Sequence, residues 1–176
     1  MKKTKVEELS LKELIKSKKF DWVNSDITKE KFPPQEISTD FKLFHFDRFL
    51  SSKDAIKEMY QEGYRPANIY ELLTWKDWNN KDWVVALSSV AEVSGRRSVA
   101  CLDGSGSGRG LGLGWFNAGW DGSYRFLAVR NLNLKPSESG LLPLELSTSD
   151  HNAEIEVLES IITKIRYRGR EYKLID

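Results

Sequence analysis

The sequence predicts an α+β domain in which two short helices come before a meander of antiparallel strands. The first helix is indicated by Ser51 with Asp54 three residues later, a capping-box pattern at the start of an apolar helical face. Pro66 keeps the residue before it out of the helical conformation and restarts the chain, and Ile69, Leu72 and Leu73 then indicate a second short helix. Extended chain is indicated between Asp103 and Trp115, where every even position is glycine and the period of two is that of a strand.

Composition limits the classes of protein to which the chain can belong. The 176 residues are 40% hydrophobic, enough for a core, and the net charge of +1 gives no overall field that favours nucleic acid or a membrane. The single cysteine, Cys101, excludes an internal disulfide and fits a reducing compartment. The chain starts without the apolar run of a signal peptide and has nowhere about 18 consecutive apolar residues. We therefore expect a soluble, cytoplasmic protein that does not span a membrane.

Residues 1–40 are predicted to form a helical N-terminal extension. Ser10 can cap a helix whose apolar face begins with Leu11 and Leu14. The pair Pro33-Pro34 then breaks the chain ahead of the next element.

Residues 41–130 are predicted to form the core of the domain. The predicted elements are a strand at 41–46, a helix through 55–60 that ends at Gly63, a helix from 69 to 75, and strands at 83–87, 99–102, 111–116 and 124–130. The strand at 83–87 is continuously apolar, so we expect it to be central and covered on both faces. The all-glycine face of the strand at 111–116 would let an aromatic ring or another backbone approach closely.

Residues 131–176 are predicted to form a C-terminal extension packed on the core. Ser149 or Asp150 could cap a helix that runs to Ile165, because apolar residues fall there at helical spacing. The alternation at 153–157 also fits a strand, so helix and strand both stay open for this tail.

The glycine alternation matches neither of the common phosphate-binding motifs. The dinucleotide fingerprint G-x-G-x-x-G needs an odd step between glycines, and the P-loop needs a lysine that is absent here. We therefore interpret the segment 104–114 as a surface loop that runs into a strand.

No catalytic residue, metal site or cofactor is predicted. His45 lies in a predicted aromatic strand, so a core histidine is its simpler interpretation. His151 lies beside a predicted helix cap, where a local hydrogen bond is the simpler interpretation. Cys101 has apolar neighbours and is interpreted as a small buried hydrophobe. The serines of the glycine-rich segment complete no G-x-S-x-G elbow, and the sequence has neither the second histidine of a zincin nor a C-x-x-C pair.

The order of elements in the predicted core resembles the C-type-lectin-like fold. The resemblance rests on the segments 41–46, 55–56, 63, 66–73, 83–87, 120–122 and 125–130. It implies a disulfide-free prokaryotic variant, because Cys101 has no partner cysteine. The stretch 63–130 also resembles a recurrent group of uncharacterised bacterial proteins, and that resemblance implies no activity.

The sequence departs from the calcium-dependent lectins at their sugar site. That site uses a Glu-Pro-Asn or Gln-Pro-Asp loop together with a Trp-Asn-Asp triplet, and this chain contains neither. The segment 120–122, Trp-Asp-Gly, retains only the tryptophan. Calcium needs several convergent oxygen ligands, so calcium-dependent sugar binding is disfavoured.

In this fold family the ligand surface is formed by loops late in the meander, which correspond here to residues 103–124. The segment combines Trp, Tyr and Arg with Ser, Gly and Asn, a mixture typical of antibody-like contact surfaces. The residues predicted to contact a protein or other macromolecule are Arg109, Trp115, Asn117, Trp120, Asp121 and Tyr124. The alternative interpretation places Trp115 and Trp120 in the core and leaves Arg109 as a solvated loop residue.

Nucleic-acid binding is the alternative function, and it rests on the C-terminal segment. Basic residues and tyrosines are interleaved there, the combination that single strands favour; the residues are Lys164, Arg166, Tyr167, Arg168 and Arg170. If the run is extended, positions 164, 166, 168 and 170 share one strand face. Because 27 basic residues are balanced by 26 acidic ones, we favour a non-catalytic binding module that uses the loop surface.

Overall fold

The computed structural model describes residues 10–106 and 108–131 in full, together with the backbone of two further strands at 164–167 and 170–173. The helices are α1 (Leu11–Lys18), α2 (Ser52–Gln61) and α3 (Ile69–Thr74). The strands are β1 (Trp22–Val23), β2 (Phe41–Phe44), β3 (Leu50–Ser51), β4 (Tyr64–Pro66), β5 (Trp83–Val93), β6 (Arg96–Asp103), β7 (Gly110–Trp115), β8 (Gly119–Trp120), β9 (Tyr124–Arg130), β10 (Lys164–Tyr167) and β11 (Arg170–Lys173). The predicted α+β class is confirmed.

A seven-stranded sheet organises the described residues. Six strands follow the order β1-β7-β6-β5-β9-β2. The seventh, β4, pairs with the C-terminal half of β9, after the residues of β9 that pair with β5. The predicted meander is antiparallel through β5, β6 and β7, but the sheet as a whole is mixed. Strand β9 lies parallel to β5 because the chain crosses from β7 to the other side of β5 before it re-enters the sheet. Strand β1 also pairs in parallel, with β7.

Both faces of the sheet are buried, as predicted for its central strand. Along β5, Val84 and Ala86 point into a cluster beneath α1 and α3, whereas Val85 and Leu87 point into a second cluster beneath α2. Alternation of this kind follows from the period of two in a strand, and both sides are apolar because helices cover both. The domain therefore has three layers, with the sheet in the middle.

The helix boundaries follow the capping signals in the sequence. Ser10 accepts a hydrogen bond from the Glu13 N–H, and the Glu13 carboxylate accepts one in return from the Ser10 N–H. Ser51 caps α2, and Gly63 after that helix has φ +81°, the left-handed conformation that glycine adopts most readily. The longest helix in the described residues, α2, has 10 residues, so none of these helices could span a membrane.

The segment 10–40 forms part of the main core. Leu11, Leu14, Ile27 and Phe32 are buried in the same cluster as α3. The segment predicted as an N-terminal extension therefore supplies both core side chains and, through β1, one edge of the sheet.

The C-terminal predictions fall mostly outside the described residues. The predicted cap at Ser149 or Asp150 lies there, as do His151 and Arg168. Where the backbone is described, Ile165 belongs to β10, so the predicted helix does not extend to it. β10 pairs antiparallel with β11, Tyr167 opposite Arg170; the basic positions 164–170 therefore do not lie along one continuous strand, which corrects that prediction.

Candidate binding surface

The glycine face of β7 receives two tryptophan rings, as its lack of side chains predicts. A Cβ atom at Gly110 would lie 2.2 Å from Cε2 of Trp22, and one at Gly112 would lie 3.0 Å from Cη2 of the same ring. A Cβ at Gly114 would lie 2.6 Å from Cη2 of Trp120. The glycines at these even positions are therefore packing residues, because any side chain there would displace a ring.

Trp120 is a core residue, the alternative that the sequence left open. Its side chain is only 4% exposed, and it meets the Tyr124 ring edge to face with the centroids 5.0 Å apart. The indole N–H donates a hydrogen bond of 2.8 Å to the Ser52 hydroxyl. Trp120 therefore presents almost no surface to a partner, and the predicted contact role does not fit its position.

The chain between β7 and β8 is a tight turn anchored from inside the protein. The Ala118 N–H donates to the Trp115 carbonyl at 3.2 Å, which closes the turn. Phe116, within the turn, is buried, and its carbonyl accepts a hydrogen bond of 2.6 Å from the Ser52 hydroxyl at the start of α2. The turn is thus fixed by its own backbone and by a helix beneath it.

Two large rings stand exposed beside this turn. Trp115 is 51% exposed, and the Arg96 guanidinium lies 3.7 Å from the centroid of its ring. Phe49 is 72% exposed, and its ring lies directly over Gly119, where a Cβ atom would be 1.8 Å from Cζ. Asn117 is exposed within the turn itself. We call Phe49, Arg96, Trp115 and Asn117 the aromatic end.

The sequence did not indicate Phe49 or Arg96 as contact residues, and the reason differs between the two. Phe49 precedes a short strand, where a phenylalanine is ordinarily assigned to the core, and nothing local marks it as exposed. Arg96 opens β6 and lies next to Trp115 only because β6 and β7 pair with Ser98 opposite that tryptophan. The stacking of Arg96 on Trp115 depends on the register between two strands, and the residues near either position in the sequence do not indicate that register.

Asp121 and Tyr124 have local structural partners. The Asp121 carboxylate accepts hydrogen bonds from the Ser123 hydroxyl and N–H, and these lower the pKa of the carboxyl. Tyr124 is half-buried between Trp120 and Trp83, and burial raises the pKa of its phenol. Asp121 thus shapes the turn before β9, and Tyr124 packs on the core.

Arg109 lies at the opposite end of β7 from the aromatic end. Its N–H donates to Asp21 at 2.7 Å, its Nη2 donates to the Lys18 carbonyl at 3.2 Å, and its Nη1 donates to Asn80. Arg109 lies six positions before Trp115, a distance of about 20 Å at the rise of a strand. The structure therefore divides the predicted surface into two separate places.

No catalytic constellation is found where the structure describes the chain. His45 follows the end of β2 and is exposed, so the expectation of a core histidine is wrong; its Nε2 lies 2.7 Å from the Gly122 carbonyl. Cys101 is buried, and burial raises the pKa of its thiol, which keeps it protonated. No group of three or more His, Cys, Asp or Glu side chains in these residues could hold a metal ion.

Comparison with protein-family models, with curated proteins and with solved structures finds no match to this chain. The resemblance to the C-type-lectin-like fold therefore stays a prediction.

Proposed function

We propose that this protein is a non-catalytic binding module that recognises a protein partner through the aromatic end. The proposal rests on one observation: Phe49 and Trp115 expose large apolar rings beside a turn that is held rigidly from within. Exposed aromatic rings and arginine are the residue types that contribute most binding energy at protein interfaces. A stacked Arg96 adds hydrogen-bond donors at the border of this apolar surface.

Rigidity of the turn favours binding at this place. A partner that binds a flexible loop must order its side chains and backbone, which subtracts from the affinity. Here the hydrogen bonds of Ser52 with Phe116 and Trp120 hold the turn before any partner arrives. The Phe49 ring is likewise seated on Gly119, which keeps its orientation defined.

We further propose that the core has a C-type-lectin-like fold. In the described residues the order is strand β2, helix α2, short helix α3 and then strands β5 to β9, the order on which the resemblance rests. Loops late in this order include the turn of the aromatic end. The fold proposal and the surface proposal therefore agree on the part of the chain that meets a ligand.

The test is capture of a partner by wild-type protein and by surface variants. Phe49→Ala together with Trp115→Ala should weaken capture about thirtyfold or more, since truncated hot-spot residues typically cost about 2 kcal/mol or more. Trp22→Ala is the matched control, because that ring is 43% exposed but belongs to the other end of β7. Far-UV circular dichroism should be unchanged in every variant.

Two results would contradict the proposal. Capture that survives the double substitution would show that the aromatic end is not the contact surface. Equal loss in Trp22→Ala would point to a general effect of exposed rings.

Nucleic-acid binding through Lys164, Arg166, Tyr167, Arg168 and Arg170 is tested by the same experiment with nuclease added. Partners that disappear with nuclease, and binding that weakens steeply with salt, would favour this alternative. A partner that survives nuclease favours the protein-binding function.

A further inference from the structure

A small cavity lies between the C-terminal ends of α1 and α3 and the start of β7. Its volume is about 60 Å³, which at about 10 to 15 Å³ for each water is room for some four to six water molecules or one tetrahedral oxyanion. The residues that line it are Lys18, Phe20, Leu72, Trp75, Lys76, Trp78, Leu102 and Arg109. It is separate from the aromatic end.

Three cations border this cavity. Burial and the positive charges of Arg109 and Lys76 lower the pKa of Lys18, while Asp77 offsets part of the effect. The Asp21 carboxylate accepts a hydrogen bond from the backbone N–H of Arg109. Among the described residues, none of the three side chains forms an ion pair with a carboxylate.

The cations retain hydrogen-bond donors. An arginine side chain has five N–H donors, and the Arg109 guanidinium donates to two neutral acceptors, the Lys18 carbonyl and the Asn80 amide oxygen. A lysine has three donors, and the Lys18 ammonium donates to the Trp75 carbonyl. Positive charge and donors thus converge on a partly enclosed space.

The aromatic walls fix the position of the arginine. The guanidinium of Arg109 lies 5.0 Å from the centroid of the Trp78 ring. With its backbone held by Asp21 and its guanidinium held by Asn80, the side chain is placed before a ligand arrives. A fixed, planar guanidinium suits the oxygen atoms of a phosphate group, and a nearby lysine supplies further positive charge.

We propose that this cavity binds the phosphate group of a small phosphorylated molecule, with Arg109, Lys18 and Lys76 as its ligands. The volume admits one such group, and the three cations supply the opposite charge. This inference is independent of the protein-binding function, because the two sites lie at opposite ends of β7.

The first experiment is an isothermal calorimetric titration of the full chain with inorganic phosphate at constant ionic strength. Wild-type protein should bind one phosphate saturably. Lys76→Met should raise the dissociation constant about tenfold, the effect of losing one charge-assisted contact. Lys57→Met is the matched control: this lysine is also exposed, but it lies on α2, across the sheet from the cavity. Its dissociation constant should match the wild-type value.

A second variant, Lys18→Met, keeps the apolar stem of the side chain and removes its charge. It should weaken phosphate binding without changing binding at the aromatic end. The proposal is overturned if phosphate binding does not saturate in the millimolar range, or if Lys76→Met and Lys57→Met weaken phosphate binding equally. Equal weakening would show that the protein attracts anions by its general positive charge, an effect that salt screens, and that the cavity is not a specific site.

Discussion

The indole N–H of Trp120 donates a hydrogen bond of 2.8 Å to the hydroxyl of Ser52, and that hydroxyl donates in turn to the carbonyl of Phe116. All three residues are buried. One serine therefore joins the start of α2 to β8 and to the turn that displays the aromatic end. Its hydroxyl serves two polar groups that have little access to water.

Replacement of Ser52 by alanine should lower the free energy of unfolding by about 2 to 4 kcal/mol, because it leaves two buried polar groups without this partner. Urea denaturation followed by circular dichroism measures the change. Ser25→Ala, at an exposed position, should shift stability by less than about 0.5 kcal/mol. A Ser52 variant as stable as the Ser25 variant would show that the hydroxyl does not hold the turn.

Two glycines of β7 should respond differently to alanine, although both lie against tryptophan rings. Gly114→Ala meets the buried ring of Trp120 and should cost about 1 to 3 kcal/mol through overpacking. Gly112→Ala meets the edge of Trp22, a half-exposed ring that can move outward, and should cost less than about 1 kcal/mol. Equilibrium unfolding in urea compares the two variants, and a larger cost for Gly112→Ala than for Gly114→Ala would contradict this packing.

The buried carboxylate of Glu71 should be far more important to stability than an exposed one. Glu71 is 0% exposed and accepts hydrogen bonds from the Arg65 guanidinium and from the Ser38 and Asn68 N–H groups. Glu71→Ala should destabilise the fold by about 3 to 5 kcal/mol, because it leaves these donors unpaired.

Glu62→Ala is the comparison for Glu71, since Glu62 pairs with Lys42 at the surface. Its cost should stay below about 1 kcal/mol, because water screens an exposed pair. Thermal unfolding of the two variants separates these cases, and similar melting temperatures would show that burial of the pair is not what matters.

Cys101 should resist thiol reagents in the folded protein. Burial raises the pKa of its thiol and the nearby Asp103 carboxylate adds to the effect, so the reactive thiolate is scarce at about pH 8 and the sulfur is shielded. Labelling with a chromogenic disulfide should therefore be slow until denaturant is added and fast thereafter. Rapid labelling of native protein would show that β6 opens locally.

Local signals in the sequence predicted much of the fold. Ser10, Ser51 and Gly63 mark helix ends where the structure has them, because capping depends on a few neighbouring residues. The glycine alternation predicted both a strand and close approach of a ring. The parallel pairing of β5 with β9 was not predicted, since it depends on where a distant segment re-enters the sheet.

The candidate surface was predicted less well for a similar reason. Trp115 and Trp120 have the same residue type and lie close in sequence, yet one is exposed and the other is buried against Ser52. Residue type alone does not separate them. Their exposure is set by which element covers each ring.

The sequence by itself determined the α+β class, the helix caps and a strand face without side chains, because these depend on backbone conformation within a few residues. Only the tertiary structure decided that Phe49 lies over Gly119, beside the turn that follows Trp115, while Arg109 joins two lysines at the other end of β7. Solvent exposure and clustering of charge arise from contacts between residues far apart in the chain. Long-range packing therefore decides where a surface lies, even where local chemistry has already named its residues.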